Sequence, residues 1–196
     1  VYGTGTRTHH NISATGGSDR VRFFASIGYL NEDGNIDNYG YNRLNLRSNI
    51  DAKLTKSLTF TLGVSGRIEK RDSPRYSADP NAWHNVPQQI IRALPYVPDT
   101  YEYEGKTYNV STPTASSPVA PVASINESGY SKSNYSYIQS NFSLKYDAPW
   151  LKGLSFKFQG AYDLTYNFSK ILSNPYEVMI MNLPTIESTS LTYYKG

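Results

Sequence analysis

The sequence predicts an all-β chain, an antiparallel meander of about six long strands interrupted by one long, partly helical loop. Three observations carry this. Strict alternation of apolar and polar residues runs through 44–54 and again through 58–68, the period of strands with one covered face. Tyr, Asn, Ser and Thr dominate the composition, with 18 tyrosines alone, and these suit strands and turns better than helices. In 196 residues with 38% hydrophobic content and a mean hydropathy of −0.53, no stretch approaches the roughly 20 apolar residues of a spanning helix.

The strands follow in order. A short first strand covers His10 to Gly16 and turns at Gly16-Gly17-Ser18-Asp19. The second runs from Arg20 to about Leu30, with Val21, Phe23, Ala25, Ile27 and Tyr29 on one face. Residues 31–39, NEDGNIDNY, form a polar loop. Strands three and four are the two alternating runs, joined by a tight turn near Lys56. The fifth spans about Asn134 to Tyr146, and the sixth Leu154 to Phe168 after the short connection DAPWLKG. Between strands four and five, Asp79-Pro80 marks a helix start. Pro87 opens a second short helix, PQQIIRAL, expected to be anchored by Trp83 and Tyr96. TYEYEGKTYNV is a hairpin turning at Glu104-Gly105, and the proline-rich run STPTASSPVAPVAS returns to the sheet.

Connections therefore alternate between short and long, the layout of outer-membrane barrels with tight periplasmic turns and elaborate extracellular loops. Strand length points the same way, since globular strands average about 5–6 residues and a tilted membrane strand needs about 9–11. Tyr29, Tyr146, Trp150, Tyr166 and Phe168 close the apolar face at its ends, as interfacial girdles do. A soluble or secreted β-sheet module that binds glycans is the alternative reading of the same alternation. On the barrel reading, residues 1–72 supply strands one to four and 73–133 a long extracellular loop. Residues 134–169 supply strands five and six, and 170–196 a further extracellular loop or the start of the next strand. Arg47, Asn49, Asp51, Arg67, Gln159 and Asp163 then line a wet lumen. Six strands cannot close a barrel, whose smallest versions have about eight, and the opening VYGTGTRTHH reads as the interior of a longer chain.

Enzymatic chemistry finds no footing. The chain has no cysteine and three histidines. His9 and His10 are adjacent and so point to opposite faces of a strand. No nucleophile elbow, HExxH or phosphate-binding glycine loop occurs, so no catalytic residue, metal or cofactor is expected. A net charge of +3 without any basic run argues against nucleic acid. The loop aromatics Trp83, Tyr96, Tyr101, Tyr103 and Tyr108 are candidates for contact with a ligand or a covering partner. Aromatic faces stack on sugars, and Tyr adds a hydroxyl.

The run HNISATGGSDRVRFFASIGYLNEDGNIDNYGYNRLNLRSNIDAKLTKSLTF resembles the barrel of SusC/RagA-like TonB-dependent transporters of Bacteroidetes. The elements carrying the likeness are His10 to Ser13, Gly16 to Ser18, Phe24 to Tyr29, Asp33-Gly34 and Tyr41 to Arg43. It is specific in order and spacing over residues 9–75 and looser over 134–170. The resemblance implies a 22-stranded outer-membrane barrel with an N-terminal plug, importing glycans or, less often, peptides. It also implies a SusD-like lipoprotein lid and energy delivered by TonB through a region with no counterpart among these residues.

Overall fold

The computed structural model describes residues 2–75, 85–111, 119–182 and 192–195. Six strands form one antiparallel sheet: β1 (Thr6–Gly17), β2 (Val21–Asp33), β3 (Gly40–Lys53), β4 (Leu58–Pro74), β7 (Gly129–Asp147) and β8 (Ser155–Ser173), in the order β1-β2-β3-β4-β7-β8. Chain order and spatial order coincide, so this is a meander, as the alternation predicts.

The tight turns all lie at one end. After β1, the Ser18 hydroxyl accepts from the backbone N–H of Arg20 and of Val21, each at 3.3 Å. After β3, the N–H of Leu54 donates to the carbonyl of Leu58 at 2.8 Å. After β7, the N–H of Ala148 donates to the carbonyl of Leu154 at 2.9 Å, and Gly153 supplies the left-handed residue at φ 93°. Among the described residues, the opposite end carries 34–39, 85–111, 119–128 and those that follow β8.

Cross-strand partners point to the same face, so the register sorts every side chain. One face is an apolar band. Its lowest row holds Leu58, Tyr146 and Phe156, and its highest holds Tyr29, Leu44, Ile68 and Tyr166. Leu58 and Ile68 are ten residues apart on β4, about 34 Å along the strand. At a barrel tilt of about 40–45° the band is about 24–26 Å tall, the height of a transmembrane barrel's apolar belt. Among the described residues it holds no Lys, Arg, Asp or Glu. Charge on this face begins only beyond the upper row, at Asp33, Lys70, Asp72, Lys132 and Lys170. The band is uncovered: Ile12 is 72% exposed and Phe158 64%.

Aromatics close both ends of the band. Tyr146 and Trp150 meet near the turns with ring centroids 5.8 Å apart. At the upper edge the Tyr29 hydroxyl donates to the Asn42 carboxamide oxygen at 3.0 Å, an apolar body reaching a polar row.

The packed core lies in the long loop instead. Helix α1 (Val86–Arg92) and helix α2 (Pro121–Asn126) join the β2–β3 loop through Ile36, Val86 and Ile125, with Ile90 packed against them. A second cluster holds Ala120, Ala123 and Val178. Ser124 Oγ links them, donating to Gln89 Oε1 at 2.8 Å and meeting Tyr176 Oη at 2.8 Å. A second sheet, in the order β10-β9-β6-β5, contains the expected hairpin, β5 (Thr100–Tyr103) and β6 (Lys106–Ser111), with Glu104 and Gly105 at positive φ. Strand β9 (Val178–Asn182) joins β6 in parallel, and β10 (Thr192–Lys195) pairs with β9.

Several boundaries differ from the sequence expectation. The first strand is not short, because Thr6–His9 also pair, with Leu30–Asp33. Strand β7 starts at Gly129 rather than Asn134, and the proline-rich return contains α2. The expected helix start at Asp79-Pro80 lies outside the described residues.

Candidate functional site

The polar face of the six-stranded sheet carries charge along its length: Lys53, Asp51, Arg47, Asp163, Arg67 and Glu69. Its middle is hollowed by small residues. In one row Asn49, Gly63, Asn141 and Ala161 are successive partners, and in the next Arg47, Ser65, Gln139 and Asp163. These two rows line a hollow of about 430 Å³. Gly63 makes the depth: a Cβ there would run into the Asn141 carboxamide and stand 3.3 Å from Asn49 Oδ1. The two carboxamides thus converge over a bare backbone. Arg47 and Asp163 sit at opposite flanks, three strand spacings or about 14 Å apart, with Ser65 and Gln139 between. A surface of amides, hydroxyls and one charge of each sign can hydrogen-bond a hydroxyl-rich ligand. It holds no nucleophile beside a base.

Of the six lumen candidates, Arg47, Asn49 and Asp163 share this hollow. Gln159 lines the neighbouring one with Thr61, Ser143 and Lys157. Asp51 is in register with Arg22 and Thr61, in the row on the turn side. Arg67 lies toward the loop end and ion-pairs with Glu69, Nε to Oε1 at 3.0 Å.

The loop candidates divide. Trp83 lies outside the described residues. Tyr96 does not anchor the helical element: it is 56% exposed, and Ile90 fills that role. Tyr101 and Tyr103 lie on one side of β5 and are exposed. Tyr108, the cross-strand partner of Tyr101, is half-buried, with Lys106 Nζ 4.8 Å from its ring centroid.

Sequence reasoning passed over the residues around Arg67. Glu69 is buried, and Arg71 Nη2 reaches its second oxygen at 3.2 Å. Arg43 stands across β3 from Glu69, and Tyr135 across β7. The legible signal was Arg67-x-Glu69-x-Arg71, whose period of two puts all three side chains on one face.

Two curated relatives from Formosa agariphila match part of this chain. TonB-dependent receptor P3 is 31% identical over 72 residues, 37% of this chain and 7% of its own length. TonB-dependent receptor P39 is 31% identical over 68 residues, 35% of this chain and 7% of its own. The likeness to TonB-dependent receptors is thus partial. The matched stretch spans less than a tenth of either relative. No protein-family profile matches the chain.

Proposed function

We propose that this chain is a segment of an outer-membrane TonB-dependent importer of the SusC/RagA type, acting in recognition and passage rather than bond chemistry. The observation that carries the reading is the charge-free apolar band, about 25 Å tall, backed by a charged polar face. The two outermost strands support it. Among the described residues the outer edges of β1 and β8 have no partner strand, and an unpaired edge in lipid costs several kcal/mol per backbone group. Further strands of a longer chain, toward the 22 of this transporter type, would pair with them.

In this reading residues 1–74 and 129–173 belong to the barrel sheet, 75–128 is extracellular loop, and the chain beyond β8 adds to that loop. The hollow around Gly63 faces the lumen, where glycan hydroxyls, or peptide amides, meet Asn49, Asn141 and Gln139. The loop tyrosines 96, 101, 103 and 108, with Trp83, meet substrate or a SusD-like lipoprotein lid. TonB acts through a part of the protein outside these residues, and the likeness to two TonB-dependent receptors supports that coupling.

The test is paired cysteine labelling of the full-length protein in intact outer membranes. A membrane-impermeant maleimide, admitted after permeabilisation, should modify Ser65→Cys and leave Val64→Cys unmodified, because the two alternate between lumen and lipid. Equal labelling of both, with the protein recovered in the soluble fraction, would favour a soluble glycan-binding module.

A further inference from the structure

At the loop end of the polar face, nine side chains form a three-by-three grid centred on Glu69. Arg71 and Arg67 flank it along β4, Arg43 stands across β3, and Tyr135 across β7. Tyr41, Asn45, Tyr137 and Ser133 take the corners. Both carboxylate oxygens of Glu69 are engaged, one by Arg67 and one by Arg71. The carboxylate is covered, at 7% side-chain exposure, whereas the guanidinium-bearing side chains are 46% and 60% exposed. Arg67 also lies over the Tyr137 ring at 4.5 Å, and Arg71 over Tyr41 and Tyr135 at 5.4 and 5.6 Å. Arg43 Nε is buried without a hydrogen-bond partner. Three arginines against one carboxylate leave a net charge of +2.

We propose that this cluster binds an oxyanion, a carboxylate or a sulfate ester, borne on the transported carbohydrate. It rests on the importer reading and narrows its substrate class. The physical reason lies in what the cluster holds and what it leaves open. A guanidinium has five donors in a fixed fork, and Glu69 occupies only one edge of each. Stacking on tyrosine rings fixes the remaining donors in orientation without neutralising them. A purely structural pair needs one arginine; two surplus positive charges, half-exposed and held still, form a receptor for an anion. The rest of the face favours sugar over an acidic peptide. It is floored by Asn49, Asn141, Gln139 and Ser65, and between residues 22 and 30 of β2 only Phe24 and Leu30 are large apolar side chains on that side. Hydroxyls find partners along it, while peptide side chains find few apolar pockets.

The test is residue-resolved arginine footprinting of the detergent-purified full-length protein with phenylglyoxal. The probes are glucuronate and galactose-6-sulfate, against glucose and galactose. Millimolar anionic sugar should slow modification of Arg67 and Arg71 by about threefold or more, as charge-assisted pairing predicts, and leave the same-face control Arg22, outside the hollow, unchanged. Neutral sugars should protect none of these three. Glu69→Gln should lower the half-protecting concentration several-fold, because the internal carboxylate no longer competes. Absence of protection, equal protection of Arg22, or stronger protection by tetraglutamate than by either sugar acid would each overturn the proposal. None of these outcomes touches the importer reading, which stands or falls on the labelling of Val64→Cys and Ser65→Cys.

Discussion

An arginine scan down the apolar face gives the sharpest test of what covers it. On β4 the band runs from Leu58 to Ile68, so its midpoint falls at Gly63, one residue from Leu62. Leu46 is in register with Gly66, three residues from the midpoint. That is about 10 Å along the strand and about 7–8 Å in depth at a barrel tilt. Ile68, five residues away, lies about 12–13 Å from the midplane by the same conversion. An arginine in lipid costs about 2–4 kcal/mol at the midplane and about 0–1 near the interfaces. Leu62→Arg should therefore lower the assembled population about 30- to 700-fold relative to its unassembled form. Leu46→Arg should cost roughly half as much, about 1–2 kcal/mol, and Ile68→Arg should be nearly silent. Thr61→Arg, next to Leu62 but on the polar face, is the parity control. The assay is the fraction of full-length protein that reaches the outer membrane in the compact, heat-modifiable form. A loss that is flat with depth, or as large for Thr61→Arg as for Leu62→Arg, would refute the lipid assignment.

Three further outcomes follow from single positions. Gly63→Ala should fold with a stability change below about 1 kcal/mol, because its Cβ meets only the movable carboxamide ends of Asn141 and Asn49. It should weaken any ligand bound in the hollow, and loss of folding by thermal denaturation would contradict this. Gly129→Ala should cost about 1–3 kcal/mol, since Gly129 sits at φ 97° with the Leu172 carbonyl in the path of a Cβ; an unchanged melting temperature would refute it. Tyr103→Ala, at an exposed site on β5, should leave stability within about 0.5 kcal/mol while reducing capture of substrate or lid in a pull-down, and unchanged capture would remove it from that role.

The band was legible because a period of two marks a strand whenever its two faces meet different surroundings. From Leu44 to Leu54 and from Leu58 to Ile68 the contrast is complete, and those strands were placed within a few residues. The same reasoning failed where neither face carries an apolar row. Thr6–His9 and residues 129–133 pair fully, yet no apolar residue alternates with polar ones there. Local turn chemistry was readable too, at Glu104-Gly105 and at Pro87. The parallel pairing of β6 with β9 was not, since it depends on a long-range contact made in the loop's own core. Helix α2 was hidden because its six residues are too few to display a helical period.

That failure bears on the candidate site. Lys70 marks where charge first appears on the outward face of β4, and Glu69 and Arg71 flank it on the other side. Strands β3, β4 and β7 therefore carry the arginine–tyrosine grid across the upper edge of the band and beyond it. Above that edge the backbone ladder continues with no apolar face, so on the proposed reading side-chain choice there is released from the demand for apolar residues. It is held instead by pairing between neighbours, which is how Glu69 comes to be buried under two arginines rather than under a hydrophobic layer. The alternation test reads the apolar band and is blind above it, at the level where, on the proposed importer reading, an incoming solute first meets the wall. A sequence test suited to that level would search for opposite charges two residues apart on one strand, facing aromatics on the next, as Arg67, Glu69 and Arg71 face Tyr135 and Tyr137.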